Sequence, residues 1–397
     1  MTEAVPLPTP LPTLRPTPFD PPAELAGLRA SRPIAPLAYP DGHRGWLVTS
    51  HALAREVLAD RRFSARSELH HMPAGQPRPA QPAPPGIFLS MDPPAHTRYR
   101  HLLTGEFTVR RMRLLGDRIE EITGAYLDAM ERQGPPVDLV ESFTAPIPAL
   151  VICELLGVPG DDRERFLAEA DVLMRPGNSP EEVMAAFLGM QEHMKELARA
   201  KRAEPTDDLL SGLTRSDLTE EELANIGFML LGAGLDTTAN QLALGTFALL
   251  THPEQLAVVR AEPERIERVV EELLRFLGII PFLVRTALED VEVGGELVEA
   301  GQTVTVSLPA ANRDPGRFPD PDTLDVLREG GGHLGFGHGV HQCLGQQLAR
   351  VEMRAAFPAL FARFPSLRLA VEPGEVPLRT DMPIYGVHRL PVTWDTP

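Results

Sequence analysis

The chain has 397 residues, of which 43% are hydrophobic and 23% charged, so it is globular and long enough for a large core. Its formal net charge of −17 argues against nonspecific nucleic-acid binding, because phosphate contacts need a basic surface. Its two cysteines, Cys153 and Cys343, give no disulfide framework and are typical of a reducing compartment.

The N-terminal residues, 1–22, are rich in proline and threonine and lack the pattern of a signal peptide, so an extended tail is predicted. No stretch of about 20 apolar residues follows that would span a bilayer. The nearest candidate, 226–250, is interrupted by Asp236, Asn240 and Gln241. We therefore expect a cytoplasmic protein with no membrane association.

The first regular elements are predicted as a short strand near 45–49 and a helix over 51–58. A proline-rich loop follows over 71–85, and loops this long inside compact domains tend to be functional. From 93 to 275 the pattern is mainly helical. Glycine and proline predict breaks in it at 134–136, 157–160 and 175–177.

The periodicity changes toward two over 279–307, where 291–295 and 303–306 are predicted strands. A last sheet segment is expected near 390–394. No repeat and no linker divides the chain. The sequence therefore predicts a mainly α protein with a small β portion (α+β), built as one domain over 23–397.

One long helix has a well-defined start, since Thr219 and Glu222 have the spacing of a capping box. Inside its apolar course lies the segment 233–238, Ala-Gly-Leu-Asp-Thr-Thr. Gly234 costs a helix about 1 kcal/mol relative to alanine, and a buried Asp236 needs partners. This combination predicts a functional segment; the alternative is a glycine-induced bend with its threonines bonded to the preceding turn.

A second segment of interest is the loop 336–345, where three glycines surround Cys343 just before a predicted helix. Glycine lets the backbone approach a bulky ligand, and a helix start favours a thiolate. Such a thiolate could ligate iron. Two alternatives are a buried cysteine that only packs, and a zinc site with His338 and His341, which lacks a fourth ligand at familiar spacing.

This loop resembles the haem-binding signature of the cytochrome P450 superfamily, in the type found in soluble bacterial, actinomycete-like members. The matching positions are Phe336, Gly337, Gly339, His341, Cys343 and Gly345. The resemblance implies a P450-like helical fold that encloses haem b (iron protoporphyrin IX), with Cys343 as the axial iron ligand. It also implies that Phe336, Gly337 and Gly345 contact the cofactor.

The helix segment resembles the oxygen-activation motif of the same family. By position, Gly234 leaves room for dioxygen, while Asp236 and Thr237 assist its protonation. Because adjacent helix positions point about 100° apart, Asp236 would face a solvent channel and Thr237 the iron.

Two further groups follow from the resemblance. Glu272 and Arg275 match a buried ion pair that usually includes a third arginine, but Thr323 stands where many relatives place it. Either Arg313 or Arg328 would substitute. The residues predicted to bind the haem propionates are His96, Arg100, Arg285 and His341.

The resemblance also implies O2 as oxidant and electrons from NAD(P)H through ferredoxin reductase and ferredoxin. An arginine cluster that would dock an acidic ferredoxin comprises Arg98, Arg110, Arg111, Arg113, Arg350 and Arg354; the alternative is solvated helix surfaces. Apolar segments expected around the pocket are 71–85, 172–190, 228–237, 279–284 and 382–385. They predict a hydrophobic small-molecule substrate.

We therefore predict a monooxygenase that hydroxylates or epoxidises a secondary metabolite such as a polyketide, macrolide or terpenoid. One alternative is a peroxygenase driven by hydrogen peroxide, although such relatives tend to lack the acid and alcohol pair of Asp236 and Thr237. A second is a haem-based binding or sensor protein, which would form no product.

Overall fold

The structure is a computed structural model that describes residues 8–75, 81–105, 107, 109–174 and 177–396. Its α-helices are α1 (Ala23–Ser31), α2 (His51–Ala59), α3 (Ala95–Thr104), α4 (Val109–Gln133), α5 (Pro146–Leu156), α6 (Gly160–Met174), α7 (Pro180–Ala203), α8 (Leu209–Leu213), α9 (Glu220–Thr251), α10 (Pro253–Ala261), α11 (Ile266–Leu277), α12 (Leu308–Asn312) and α13 (Gln346–Arg363). Its strands are β1 (Ile34–Ala38), β2 (Arg44–Val48), β3 (Phe63–Ser64), β4 (Val137–Asp138), β5 (Leu283–Ala287), β6 (Val291–Val293), β7 (Glu296–Val298), β8 (Thr303–Val306), β9 (Arg368–Leu369) and β10 (Pro391–Thr393). The predicted class, mainly α with a small β portion, is confirmed.

The described residues form two compact units. The first takes its residues from 1–83, 89–93 and 271–343, and the second from 84–88, 94–270 and 344–397. The prediction of one domain over 23–397 stays a prediction.

The first unit is built on a five-stranded sheet in the order β1-β2-β8-β5-β3. Strand β8 is buried along its whole length and pairs parallel with β2 and antiparallel with β5. One segment differs from the sequence prediction, because β6 ends at Val293 and Gly294-Gly295 form a tight turn to β7. Both glycines have positive φ, as a two-residue hairpin turn requires.

The described part of the N-terminal segment is bound to the first unit. Arg15 Nη2 donates to the carbonyl of Gly278 at 3.1 Å. The carbonyl of Phe19 accepts from Arg313 at 3.2 Å. Residues 8–22 are therefore held by side-chain bonds to backbone, a contact that their composition did not predict.

The second unit is mostly helical and is centred on α9, which packs against α5, α7 and α13. The predicted capping box is confirmed: Thr219 Oγ1 accepts from Glu222 N at 3.2 Å, and Glu222 Oε2 accepts from Thr219 N at 2.7 Å. A small sheet, β4-β10-β9, belongs to the same unit.

No single helix in the described ranges is long and apolar enough to span a membrane. Helices α9 and α10 together have the length and apolar composition of a span, but the chain bends by 108° between them.

Candidate active site

The loop that carries Cys343 is held in shape by glycines and by one backbone bond. Gly337 and Gly339 have φ values of 69° and 76°, in the region that favours glycine. A Cβ at Gly339 would overlap the carbonyl of Leu58, so only glycine fits there. The amide of Cys343 donates to the carbonyl of Phe336 at 2.9 Å, and the residue is half-buried.

The positions that flank this cysteine suit a bulky group. His341 ends a 3-10 turn, Gly339–His341, and Gly345 is the N-cap of α13. A Cβ at Gly345 would meet no heavy atom within 4 Å. The zinc alternative gains no support, since the described residues hold no group of three His, Cys, Asp or Glu able to bind a metal ion.

A buried cation also lies in the first unit, at Arg285 of β5. Burial lowers its pKa to about 10, although the nearby Asp92 carboxylate opposes this. Its Nη1 donates to the carbonyl of Val284 at 2.7 Å. Asp92 itself accepts from Ser64 Oγ at 2.5 Å and Ala65 N at 2.8 Å, so both of its carboxylate oxygens already have a donor. A buried guanidinium in this setting suits an additional anion, such as a propionate.

In the second unit, His96 and Arg100 lie one turn apart on α3, with His96 2% exposed and Arg100 half-buried. Two residues of α3 that lie between His96 and Arg100 hold the helix in place. Tyr99 Oη donates to Glu222 Oε1 at 2.7 Å, and Arg98 Nη1 donates to the same oxygen at 2.6 Å. These bonds tie α3 to the start of α9 and orient the two predicted propionate ligands.

The predicted oxygen-activation segment lies in the middle of α9. Ala233 is exposed in an otherwise largely buried helix, and Thr237 is on the same face one turn later. Thr237 Oγ1 donates to the carbonyl of Ala233 at 2.8 Å, the bond to the preceding turn that the structural alternative expected. A Cβ at Gly234 would lie 3.1 Å from Ile152 Cγ1, so this glycine also permits close packing of α5.

The acid of this segment has two side-chain partners, one near in the sequence and one distant. Arg379 donates through Nη1 to Asp236 Oδ1 at 2.5 Å and through Nη2 to Oδ2 at 3.2 Å. Asn240 Nδ2 donates to Oδ1 at 2.9 Å. Asn240 follows by one helical turn and was predictable from spacing; Arg379 is 143 positions away, and no local signal points to it.

The pair Glu272 and Arg275 is buried, with both side chains 2% exposed and N to O distances of 2.7 Å. The third arginine is Arg328, whose Nε donates to Glu272 Oε1 at 3.2 Å. Arg313 instead bonds Asp322, Asp20 and nearby backbone carbonyls. Arg328, and not Arg313, is therefore the third arginine of this pair.

The predicted arginine cluster is engaged with its own chain where the structure describes it. Arg98 bonds Glu222 and Asp217, Arg350 bonds Gln346, and Arg354 bonds Glu267 at 3.0 Å. The side chains of Arg110, Arg111 and Arg113 lie outside the described residues. The described arginines of this cluster therefore form hydrogen bonds or ion pairs within the chain.

Two of the predicted pocket segments meet inside the second unit. The ring of Phe228 on α9 lies 5.1 Å from that of Phe187 on α7, in a T-shaped arrangement. Part of the proline-rich loop, 76–80, lies outside the described residues.

Comparisons with known proteins agree with this geometry. A family model described as Cytochrome P450 matches residues 180–391. A Streptomyces protein named Cytochrome P450 105C1 is 51% identical, covering 99% of this chain and 100% of its own. Pentalenic acid synthase of Streptomyces avermitilis is 43% identical with the same coverage. The crystal structure of cytochrome P450 MoxA from Nonomuraea recticatena matches with a TM-score of 0.91 and 42% identity, covering 98% of this chain and 99% of its own.

Proposed function

Because this chain belongs to the cytochrome P450 family of haem monooxygenases, we propose that it inserts one atom of O2 into a hydrophobic secondary metabolite, by hydroxylation or epoxidation. The observation that carries the proposal is the Cys343 loop, whose glycine geometry and backbone bond hold a half-buried cysteine, whereas Cys153 is buried.

Haem is the cofactor that the family implies, and the residues fit it. Cys343 would ligate the iron, and Phe336, Gly337 and Gly345 would contact the ring. His96, Arg100, Arg285 and His341 would bind the propionates. A thiolate-ligated haem supplies the activation of O2. Burial lowers the pKa of Arg285 to about 10, so an anion beside it would stabilise its charge.

The acid and alcohol pair of α9 is proposed to manage protons. Asp236 would collect them from water, and Thr237 would pass them toward the reacting oxygen, once its hydroxyl leaves the Ala233 carbonyl. Gly234 has no side chain and would leave room for dioxygen beside them. The presence of both polar residues supports use of O2 over the peroxide-driven alternative.

The substrate is proposed to be a polyketide, macrolide or terpenoid. Support comes from the full-length relative whose name is pentalenic acid synthase, and from the apolar contact of Phe187 with Phe228. Electrons would come from NAD(P)H through a ferredoxin reductase and a ferredoxin, since members of this type generally use separate redox partners. The expected cytoplasmic location stays a prediction.

The ligand assignment is tested with a matched pair of cysteine variants. Cys343→Ser should abolish the thiolate-type spectrum of the reduced carbon monoxide complex. Cys153→Ala should keep it, because Cys153 is fully buried and burial raises its pKa to about 11. A thiolate-type spectrum that survives in Cys343→Ser would overturn the assignment.

The reaction is tested on the wild-type protein in two steps. A Soret titration against macrolactones, terpenoids, steroids and fatty acids should give a low-spin to high-spin shift with one class. That compound is then supplied with NAD(P)H, reductase, ferredoxin and O2. An oxygenated product supports the proposal; faster turnover with hydrogen peroxide alone indicates a peroxygenase, and no product with either oxidant indicates a sensor.

A further inference from the structure

A buried histidine, His333, lies three positions before the loop that carries Cys343. Its side chain is only 4% exposed, and both of its ring nitrogens are hydrogen-bonded. Nε2 lies 3.0 Å from Glu271 Oε2 on α11, and Nδ1 accepts from the amide of Gly335 at 3.0 Å. The ring therefore joins α11 to the segment that leads into the loop.

These two bonds determine the tautomer of the ring. A backbone amide only donates, so Nδ1 of His333 carries no hydrogen. In the neutral ring the hydrogen then lies on Nε2, which donates it to the carboxylate of Glu271. His333 is thus an acceptor toward the loop and a donor toward α11, and a side chain that lacks either function breaks one of the two bonds.

Helix α11 gives this link a fixed base. The neighbour of Glu271 is Glu272, whose buried pair with Arg275 has N to O distances of 2.7 Å. Gly335 lies directly against the end of the same helix, because a Cβ there would be 2.8 Å from the carbonyl oxygen of Leu274. The segment before the loop is therefore packed against α11 as well as hydrogen-bonded to it.

The contacts of His333 lead on to the cysteine. Phe336 follows Gly335 directly, and its ring lies 6.0 Å from that of His333. The carbonyl of Phe336 accepts from the amide of Cys343 at 2.9 Å. A displacement of Gly335 is therefore passed to Phe336 and, through this bond, to the backbone of Cys343.

From this geometry we propose that His333 is a positioning residue for Cys343 as haem ligand, an inference that deepens the proposed function and rests on it. By joining Glu271 to the amide of Gly335, the ring fixes the distance of the loop from α11 and with it the position of the cysteine backbone. Hydrogen bonds in the shell around a metal ligand orient that ligand and tune the metal that it binds.

Three substitutions separate the two bonds of the ring. His333→Asn keeps an acceptor near the position of Nδ1 but is too short to reach Glu271. His333→Gln places a donor near the position of Nε2 but removes the acceptor of the Gly335 amide. His333→Leu removes both bonds. The control is His388→Leu, because His388 also bonds a carboxylate, that of Asp381, at 2.9 Å but is more exposed.

Hydrogen exchange of the resting, haem-loaded protein, measured residue by residue, tests the link without turnover. In His333→Leu the amides of Gly335 and Cys343 should both exchange about tenfold faster than in wild type, as expected when a buried hydrogen bond is lost. The asparagine and glutamine variants should show smaller increases, and His388→Leu should match wild type. Faster exchange at Gly335 alone would overturn the proposal, because His333 would then fix only its own turn.

Two spectroscopic and redox properties separate positioning from stability. The EPR g-values of the low-spin ferric protein and the midpoint potential of its ferric–ferrous couple should change in His333→Leu, with smaller changes in the asparagine and glutamine variants. A role in stability alone would lower the free energy of unfolding and leave both properties as in wild type, which would contradict the proposal. If His333→Leu does not fold, the other two variants carry the comparison.

A double-variant cycle assigns the effect to the bond with α11. Glu271→Met and His333→Asn remove the same bond, so their shifts in midpoint potential should be non-additive. Additive shifts would exclude a link through Glu271.

The outcome is distinguishable from a failure of the proposed function. If Cys343→Ser keeps the thiolate-type spectrum of the carbon monoxide complex, the ligand assignment itself is wrong. If Cys343→Ser loses that spectrum while His333→Leu keeps the g-values and the potential of wild type, the positioning role alone is wrong.

Discussion

Two acid–arginine pairs of this protein have the same bidentate chemistry and opposite surroundings. Glu272 and Arg275, in the first unit, are three positions apart on α11, with both side chains 2% exposed. Asp236 and Arg379, in the second, are 143 positions apart and border a cavity. The first pair can be read from the sequence, whereas the second exists only because a hairpin lies against α9.

The use of the remaining donors distinguishes the pairs. Arg275 also donates to the carbonyls of Asn312, Pro321 and Thr323, and Arg328 donates to Glu272. In contrast, Arg379 Nε has no hydrogen-bond partner among the described residues. A pair with every donor used is suited to hold coil segments together, whereas the pair at the cavity leaves one guanidinium donor unused.

The largest expected effect is the loss of the scaffold pair. Arg275→Met should lower the free energy of unfolding by about 3–5 kcal/mol, because the buried Glu272 carboxylate keeps only Arg328 and the amide of Asp325 as donors. Urea unfolding measures this. The matched control is Arg265→Met, which breaks the exposed pair with Glu262 at the same spacing and should cost less than about 0.5 kcal/mol. Equal losses would remove the distinction between buried and exposed pairs.

A buried carboxyl without such support gives the next effect. Burial raises the pKa of Glu352 to about 8 from an ordinary 4.5, and its Oε2 has no hydrogen-bond partner among the described residues. An acid with a raised folded pKa costs stability above its unfolded pKa, increasingly until pH 8. Glu352→Gln should therefore stabilise the protein by up to about 3 kcal/mol at pH 7 and by much less at pH 5.

Thermal or urea unfolding of Glu352→Gln at the two pH values checks this sign. Glu267→Gln, at an exposed acid, is the control and should show no comparable pH dependence. A stabilisation of Glu352→Gln that is the same at pH 5 and pH 7 would show that charge burial is not its cause.

The third arginine of the scaffold should contribute less than Arg275. Arg328→Met should cost about 2 kcal/mol in urea unfolding, because Arg328 donates to Glu272 and to the carbonyls of Asp320 and Thr323 but is nearer the surface. Restoring an arginine by Thr323→Arg in that background tests whether the two positions are equivalent. No recovery of stability would show that an arginine at position 323 cannot make the contacts of Arg328.

The smallest stability effect is expected at the cavity pair. Arg379→Met should cost about 1 kcal/mol, since Asp236 borders the cavity and keeps Asn240 as a donor once the guanidinium is removed. Unfolding in urea, run beside Arg275→Met, gives the comparison directly. A loss as large as that of Arg275→Met would identify a scaffold pair and remove the contrast with Glu272.

The sequence was informative where a function depends on near neighbours. The capping box at Thr219, the α9 segment and the ten-residue cysteine loop are all local patterns, and the structure places each on the expected element. It was less informative for turns and long-range partners. The period-two pattern predicts strand through Gly294-Gly295, but two adjacent glycines favour the hairpin turn that the structure has there.

The sequence by itself determined the class of fold, the loop that carries Cys343 and the pairing of Glu272 with Arg275, because spacing along one element dictates each of them. Only the tertiary structure decided that Arg328 replaces the expected arginine, that residues 8–22 bind the first unit and that Arg379 holds Asp236. These contacts join segments that are far apart in the sequence, so no periodic pattern of residues indicates them. They depend instead on close approach, as where Gly386 lets a hairpin meet Asn240.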